Sequence, residues 1–162
     1  MDKKRRFLER VEQNQDVLHK ICALYAGNMD DRKDLGQEIV CQLWKSYPSF
    51  RGDSKFTTWM YRVALNTALL TLRRNQRRVR TESLKDHHGD IPAESADPPE
   101  EHGKIDRLYE AISQLHQFDR AIILLYLEQF SYREISAVIG ISESNVSVKL
   151  VRIKKRLKEL LT

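Results

Sequence analysis

Residues 34–74 read DLGQEIVCQLWKSYPSFRGDSKFTTWMYRVALNTALLTLRR. Two amphipathic patterns are joined here by a short loop marked by Pro48 and Gly52, and the second pattern runs into a cluster of arginines. Wrapped on a helix at 100° per residue, Lys55, Arg62, Asn66, Arg73 and Arg77 fall within roughly a 60° arc. A stripe of cations with one amide in its middle suits a phosphate track with a single base-reading group. Phe56, Met60, Tyr61, Val63, Ala64, Leu65 and Leu72 take the other side, as a core-facing surface requires. Leu69 interrupts the polar stripe and Trp59 sits at its edge. The alternative for this helix is a solvated cationic face on a bundle helix.

The loop before it adds to the case. Six aromatics, Trp44, Tyr47, Phe50, Phe56, Trp59 and Tyr61, alternate with Lys45, Arg51, Lys55 and Arg62. Aromatic faces among cations hold unstacked bases, each worth about 1–3 kcal/mol. Phe56 lies on the apolar arc, and Trp44 groups with Val40 and Tyr47 on the inner side of its helix, so both read as core. Tyr47 to Phe56 is the better candidate surface.

Charge placement points the same way. The 162-residue chain carries a net charge of +5, a balance that permits nucleic-acid binding without requiring it. Five arginines lie between Arg73 and Arg80, and six bases between Lys149 and Lys158, with no acid in either run. Between Arg80 and Gly103, seven acids face two bases. The length suits one or two small domains. The basic opening MDKKRRFLER leads into an amphipathic pattern, so neither a signal peptide nor a membrane span is expected. Cys22 and Cys41 lack metal spacing and are too few for a disulfide scaffold, and the expectation is a reduced cytoplasmic protein. Cys41 falls on the outward arc with Asp34, Gln37, Glu38 and Lys45, where an exposed thiol reads either as a redox sensor or as a tolerated partner-surface residue.

Periodicity predicts a helix over Phe7–Ala26, ended by Gly27-Asn28, and a second helix capped near Asp30 and Asp31 that runs to about Ser46. A third covers about Thr57–Arg77. Residues 81–103 hold three of the four prolines and read as a flexible acidic linker. His87, His88 and His102 lie in it without the fourth ligand and fixed frame that a zinc site needs. No metal and no cofactor are expected.

The C-terminal part begins near Ile105. Leu108, Ala111, Ile112 and Leu115 mark one helix, and the apolar Arg120–Gln129 stretch a core helix. In SYREISAVIGISESNVSVKLVRIKKRLKELL, Ser131 can cap a helix with Glu134 reciprocating, Gly140 ends it, and Ser142 caps the next. Val146, Leu150, Ile153, Leu157 and Leu160 form the buried stripe of that last helix. The pattern is a helix-turn-helix with Glu143, Ser144, Asn145, Ser147, Val148 and Lys149 at the front of the recognition helix. Asn145 can pair with adenine and Val148 can meet a thymine methyl. The other reading of Asn145 is that it only closes the helix N-terminus with Ser142.

DLGQEIVCQLW and SFRGDSKFTTWMYRVALN resemble the promoter-melting domain of bacterial sigma factors, the likeness being greatest to the small extracytoplasmic-function (ECF) group and covering about Val11 to Arg78. The part from about Ile105 to Leu161 resembles the −35-binding domain of the same family. It follows the pattern L.YLEG.SY.EIA…GIS.GTVKSRL.RA..RL with departures: Ser136 replaces an alanine, Ser144 and Asn145 stand for glycine and threonine, and Ser147 and Val148 replace a polar or basic pair. The departures on the recognition helix put the −35 sequence in question, not the fold. The resemblance implies that Asp34, Gln37, Glu38, Cys41 and Lys45 dock on the clamp helices of RNA polymerase. It implies −10 contacts from Phe50, Arg51, Lys55, Trp59, Arg62, Asn66, Arg73 and Arg77. It implies −35 contacts from Ser142, Ser144, Asn145, Val148, Lys149, Arg152, Lys155 and Arg156.

The expectation is therefore an all-α chain of two small helical domains joined by a flexible linker, the second containing a helix-turn-helix. The boundaries are 1–80, 81–103 and 104–162. Its partners would be core RNA polymerase, through the clamp helices and flap, promoter DNA, and an anti-sigma factor. It would be a monomer when free, with no membrane insertion and no catalysis of its own. The acids Asp86, Asp90, Glu94, Asp97, Glu100 and Glu101 would sit in the polymerase's nucleic-acid channel. The rival readings are a stand-alone helix-turn-helix repressor or activator that binds DNA as an isolated dimer, and an adaptor using the Asp34–Lys45 face without DNA. The adaptor leaves both basic clusters unexplained.

Overall fold

The structure, a computed structural model, describes residues 2–82 and 100–162, with side chains over 2–78 and 103–162. Asp86, His87, His88, Asp90, Glu94 and Asp97 lie outside the described residues, as do the side chains of Arg80, Glu100, Glu101 and His102. Every regular element among the described residues is helical, and no helix is long and apolar enough to cross a membrane.

The helix predicted over Phe7–Ala26 is two helices, α1 (Asp2–Gln13) and α2 (Gln15–Tyr25). Asn14 leaves the helical backbone at φ −121°, ψ 28°, and its amide Nδ2 donates to the Arg10 carbonyl at 2.7 Å. A short polar side chain that satisfies the backbone locally competes with helix continuation, an effect that apolar periodicity does not register. α3 (Met29–Ser46) is capped by Asn28, not by the expected Asp30 or Asp31. The Asn28 side chain accepts from the Asp31 amide at 2.8 Å, and the two acids occupy the first turn, where the helix dipole favours them. Tyr47–Ser49 forms one 3-10 turn around Pro48, and Gly52 adopts φ +81° in the loop that follows. α4 (Phe56–Glu82) is 27 residues long, several more than the predicted span.

α5 (Glu100–Ser113) starts inside the expected linker, and α6 (Gln117–Leu127) supplies the second bundle's most buried segment, Ala121–Leu125. α6 closes through Gln129 at φ 67°. The Gln129 amide bonds the Tyr126 carbonyl, and the Phe130 amide bonds the Leu125 carbonyl. That pairing normally places glycine where Gln129 stands. α7 (Tyr132–Ile139) has the full capping box of Ser131 and Glu134 and ends at Gly140 in the left-handed region, φ 85°. α8 (Glu143–Leu161) is capped by Ser142 and buries Val146, Leu150, Ile153 and Leu157. Leu160, expected in that stripe, is half-buried.

α3 packs along α4, α2 crosses both, and α5–α8 form a second bundle that leans on α2 and α4. The buried side chains of the two bundles join in one continuous apolar cluster. Leu69, expected to break the polar stripe of α4, is buried at 8% exposure. That side of α4 faces the second bundle: the Tyr61 ring meets Phe130 edge-on at 5.2 Å. An isolated helical wheel has no means of anticipating a partner 69 residues further along the chain.

Candidate nucleic-acid interface

Asp34, Gln37, Glu38, Cys41 and Lys45 are all exposed along α3, while Leu35, Ile39 and Leu43 are buried beneath them. Glu38 accepts a hydrogen bond from Gln42 at 3.2 Å. The arc is not one continuous surface. Gln37 and Cys41 open onto an apolar groove of about 800 Å³ between α2 and α3, whereas Glu38 faces α4 across a polar cleft of about 390 Å³. Both cysteines line the apolar groove, but only Cys22 is buried, and burial pushes its thiol pKa up.

The aromatic loop is more closed than its composition suggests. Phe50 sits 5.7 Å from Phe56 and 5.2 Å from Trp59, ring centre to ring centre. Arg10 of α1 lies over both phenylalanines, at 5.7 and 5.3 Å. Phe56 is half-buried and packs against the core, as expected. Trp44 departs from its core assignment: it is 41% exposed, anchored on one side by Phe7 at 5.1 Å and stacked on Tyr47 at 6.4 Å. What remains open to solvent is the segment Arg51–Lys55, turning on Gly52.

Along α4, Arg62, Asn66, Arg73 and Arg77 are exposed and Trp59 is half-buried. Asn66 lines the cleft shared with Glu38, Gln42, Leu70 and Arg74. Leu70, 52% exposed, and Arg74 belong to this surface and are absent from the sequence-based set. Arg74 was legible only as one member of a dense arginine run. Arg73, one heptad beyond Asn66, extends its guanidinium to 5.4 Å from the centre of the Phe118 ring of the second bundle.

On α8, Ser142, Ser144, Asn145, Val148, Arg152, Lys155 and Arg156 are exposed. The Asn145 backbone amide, not its side chain, completes the cap by donating to Ser142 Oγ at 3.2 Å. The side-chain amide therefore stands on the outer surface with the cap already satisfied. Lys149 is half-buried, its Nζ 3.8 Å from Asp119 of α6. Arg156 lies 3.5 Å from Glu159. Val151, 68% exposed on the same helix, is an apolar contact candidate that the stripe analysis passed over. Ser136 explains its departure from the family pattern: its hydroxyl donates to the Ile141 carbonyl at 2.5 Å, fastening the turn between α7 and α8. Among the described residues, no group of His, Cys, Asp or Glu could hold a metal ion.

A long basic helix flanked by an aromatic loop, followed by a capped helix-turn-helix, defines a two-part helical DNA-binding architecture. Residues 10–78 match sigma-70 region 2, and residues 105–157 match sigma-70 region 4. The chain belongs to the ECF group of the sigma-70 family of sigma factors. It is 28% identical over 157 residues to the ECF RNA polymerase sigma factor SigE of Mycolicibacterium smegmatis, covering 94% of this chain and 60% of the relative. It is 29% identical over 156 residues to the RNA polymerase sigma-H factor of Pseudomonas aeruginosa, covering 88% and 81%. Two solved structures share the fold. The sigma factor RpoE, co-crystallised with the anti-sigma factor NepR from Bartonella quintana, matches at TM-score 0.75 and 21% identity, covering 96% of each chain. CnrH, in complex with the cytosolic domain of CnrY, matches at TM-score 0.68 and 20% identity, covering 98% and 88%.

Proposed function

We propose that this chain binds core RNA polymerase and directs it to one promoter class, reading the −10 element with α4 and its preceding loop and the −35 element with α8. The polymerase makes every bond, and the sigma factor contributes position and strand opening, with no cofactor. The observation that carries this reading is the placement of Asn66: an exposed amide in a polar cleft, flanked along one helix by exposed Arg62, Arg74 and Arg77. Cations hold phosphates irrespective of sequence, while an amide offers a donor and an acceptor to a base edge.

In this reading the exposed α3 arc docks on the polymerase clamp, the α5–α8 bundle meets the flap, and Arg51–Lys55 receives a base turned out of the opening duplex. Residues 81–103 act as the linker between the −10 and −35 domains. The protein works in the cytoplasm, is a monomer before it joins polymerase, and is held in check by an anti-sigma factor. The anti-sigma complex of RpoE supports that last element by analogy.

Co-purification with core subunits, followed by run-off transcription on a library of promoters, tests the reading. The expected result is specific initiation only when core and this chain are combined. Asn66→Ala should relax one −10 position at a cost of about 1–3 kcal/mol. High-affinity binding of the isolated chain to DNA as a dimer, with no affinity for core, would establish the repressor reading instead.

A further inference from the structure

α1 carries charge that the promoter-reading assignment does not use. Residues 10–78 match region 2, so Lys3 and Arg6 fall ahead of the matched segment. Phe7 and Val11 bury one side of the helix, and the Phe7 ring rests 5.1 Å from Trp44 and 5.2 Å from Tyr47, centre to centre. At 100° per residue, Lys3, Arg6 and Arg10 share an arc of about 60° on one flank of that buried side. The acids Asp2, Glu9 and Glu12 gather on a separate arc of about 80°, where Glu9 lies 3.4 Å from Arg5.

Arg10 shows where the cationic flank points. Its guanidinium lies 5.7 Å from the centre of the Phe50 ring and 5.3 Å from that of Phe56, so the flank opens toward the aromatic loop. Arg6 and Lys3 follow about one and two turns away along the helix, and both are exposed. At 1.5 Å per residue the stripe runs about 10 Å, the reach of about three stacked nucleotides. A merely solvated flank requires no alignment with the loop. A cationic track that runs on from aromatic faces is how proteins hold single-stranded nucleic acid, the rings taking bases and the cations the backbone.

We infer that Lys3, Arg6 and Arg10 form a further nucleic-acid contact, which holds the backbone phosphates of a single DNA strand where it passes the Phe50–Phe56 loop. Phosphate contacts carry no sequence information directly. α1 therefore strengthens the hold on the opened strand and leaves the choice of promoter to α4 and α8. That the strand is promoter DNA rests on the reading above, whereas affinity for a single strand does not.

The test compares the full chain with Lys3→Gln/Arg6→Gln and with Lys4→Gln/Arg5→Gln, which removes the same two charges from the rest of the helix. Arg10 is left in place because it packs on both rings. Anisotropy across a salt series reads binding to a short labelled oligonucleotide of mixed sequence, single-stranded and as a duplex. Lys3→Gln/Arg6→Gln should weaken single-strand binding about tenfold at low salt. It should also lower the slope of log affinity against log salt by about 1.4, two contacts at about 0.7 each. Lys4→Gln/Arg5→Gln should leave that slope near the wild-type value. An unaltered slope for Lys3→Gln/Arg6→Gln overturns the contact, and equal losses from the two pairs reduce it to net charge and overturn it as well. An equal loss on the duplex overturns the single-strand assignment. Run-off transcription by the wild type with core polymerase is measured separately, and its failure would count against the promoter reading and not against the α1 contact.

Discussion

The guanidinium of Arg120 bonds two carbonyls at once: Leu115, just before its own helix, at 2.9 Å, and Leu24, 96 residues earlier, at 3.0 Å. The first fixes the α5–α6 turn, and the second satisfies one of the orphan carbonyls at the end of α2. Arg120→Met keeps much of the apolar stem and removes both bonds. It should cost about 1–3 kcal/mol, lowering the melting temperature by about 2–4 °C for each kcal/mol in a chain of this size. Differential scanning calorimetry reads the shift, and an unchanged melting temperature would show that water replaces both bonds.

Gln129 holds φ 67° at the α6 terminus, a conformation in which a Cβ is strained and glycine is not. Gln129→Gly should relieve more strain than it adds in unfolded-state entropy, raising stability by about 0.5–1 kcal/mol. Chemical denaturation should show a higher midpoint at an unchanged slope. A lower midpoint would mean that the Gln129 side chain contributes more than the backbone strain costs.

Ser142 and Asn145 divide the work at the head of α8. Ser142→Ala removes the cap and should destabilise the chain by about 1 kcal/mol. Asn145→Ala leaves the amide-to-hydroxyl bond in place, so melting should barely change while selection of −35 sequences shifts at one position. A fall in melting temperature with unaltered sequence preference would assign Asn145 to the cap.

Glu38→Arg on the exposed face of α3 should weaken binding to core polymerase while leaving the helical circular-dichroism signal intact. Glu38 also faces Asn66 across the same cleft, so a second effect on −10 selectivity is expected in assembled holoenzyme. Unaltered core affinity would remove this face from the polymerase contact.

Much of the architecture was readable because it rests on local chemistry. The capping box of Ser131 and Glu134, the left-handed Gly140 and the Ser142 cap are determined within a few residues, and the structure has each of them. The exposed α3 arc over Leu35, Ile39 and Leu43 follows from helical periodicity alone. What periodicity missed depends on distant partners or on single polar side chains. Leu69 is buried on the side of α4 that faces a bundle the pattern did not place. Asn14 breaks a helix by bonding the Arg10 carbonyl, and Asn28 outcompetes Asp30 and Asp31 as a cap. Lys149, expected at the front of the recognition helix, also lies 3.8 Å from Asp119 of another helix, a pairing that the pattern of one helix does not reveal.

Alkaline titration should separate the packed state from its parts. Burial pushes the Tyr25 and Tyr61 phenols well above their ordinary value, and the Glu128 and Asp16 carboxylates add to the effect at Tyr61. The Tyr61 hydroxyl is buried beside Glu128 without completing a hydrogen bond to it. Both groups stay protonated in the folded chain after they would ionise in the unfolded one. Their contribution is therefore intact below about pH 10 and lost as the pH rises beyond it. Raised Lys20 acts in the same direction. Stability followed by denaturant midpoint should be flat with respect to these groups up to about pH 10 and fall above it, and Tyr61→Phe should reduce the alkaline slope.

α4 extends roughly 40 Å at 1.5 Å per residue, and Arg73, Arg74, Arg77 and Arg78 near its far end are all exposed. Arg73 among them rests beside the Phe118 ring of the second bundle and stays exposed. This cationic tip should shorten the search for DNA by electrostatic attraction, so the encounter rate should fall as salt rises.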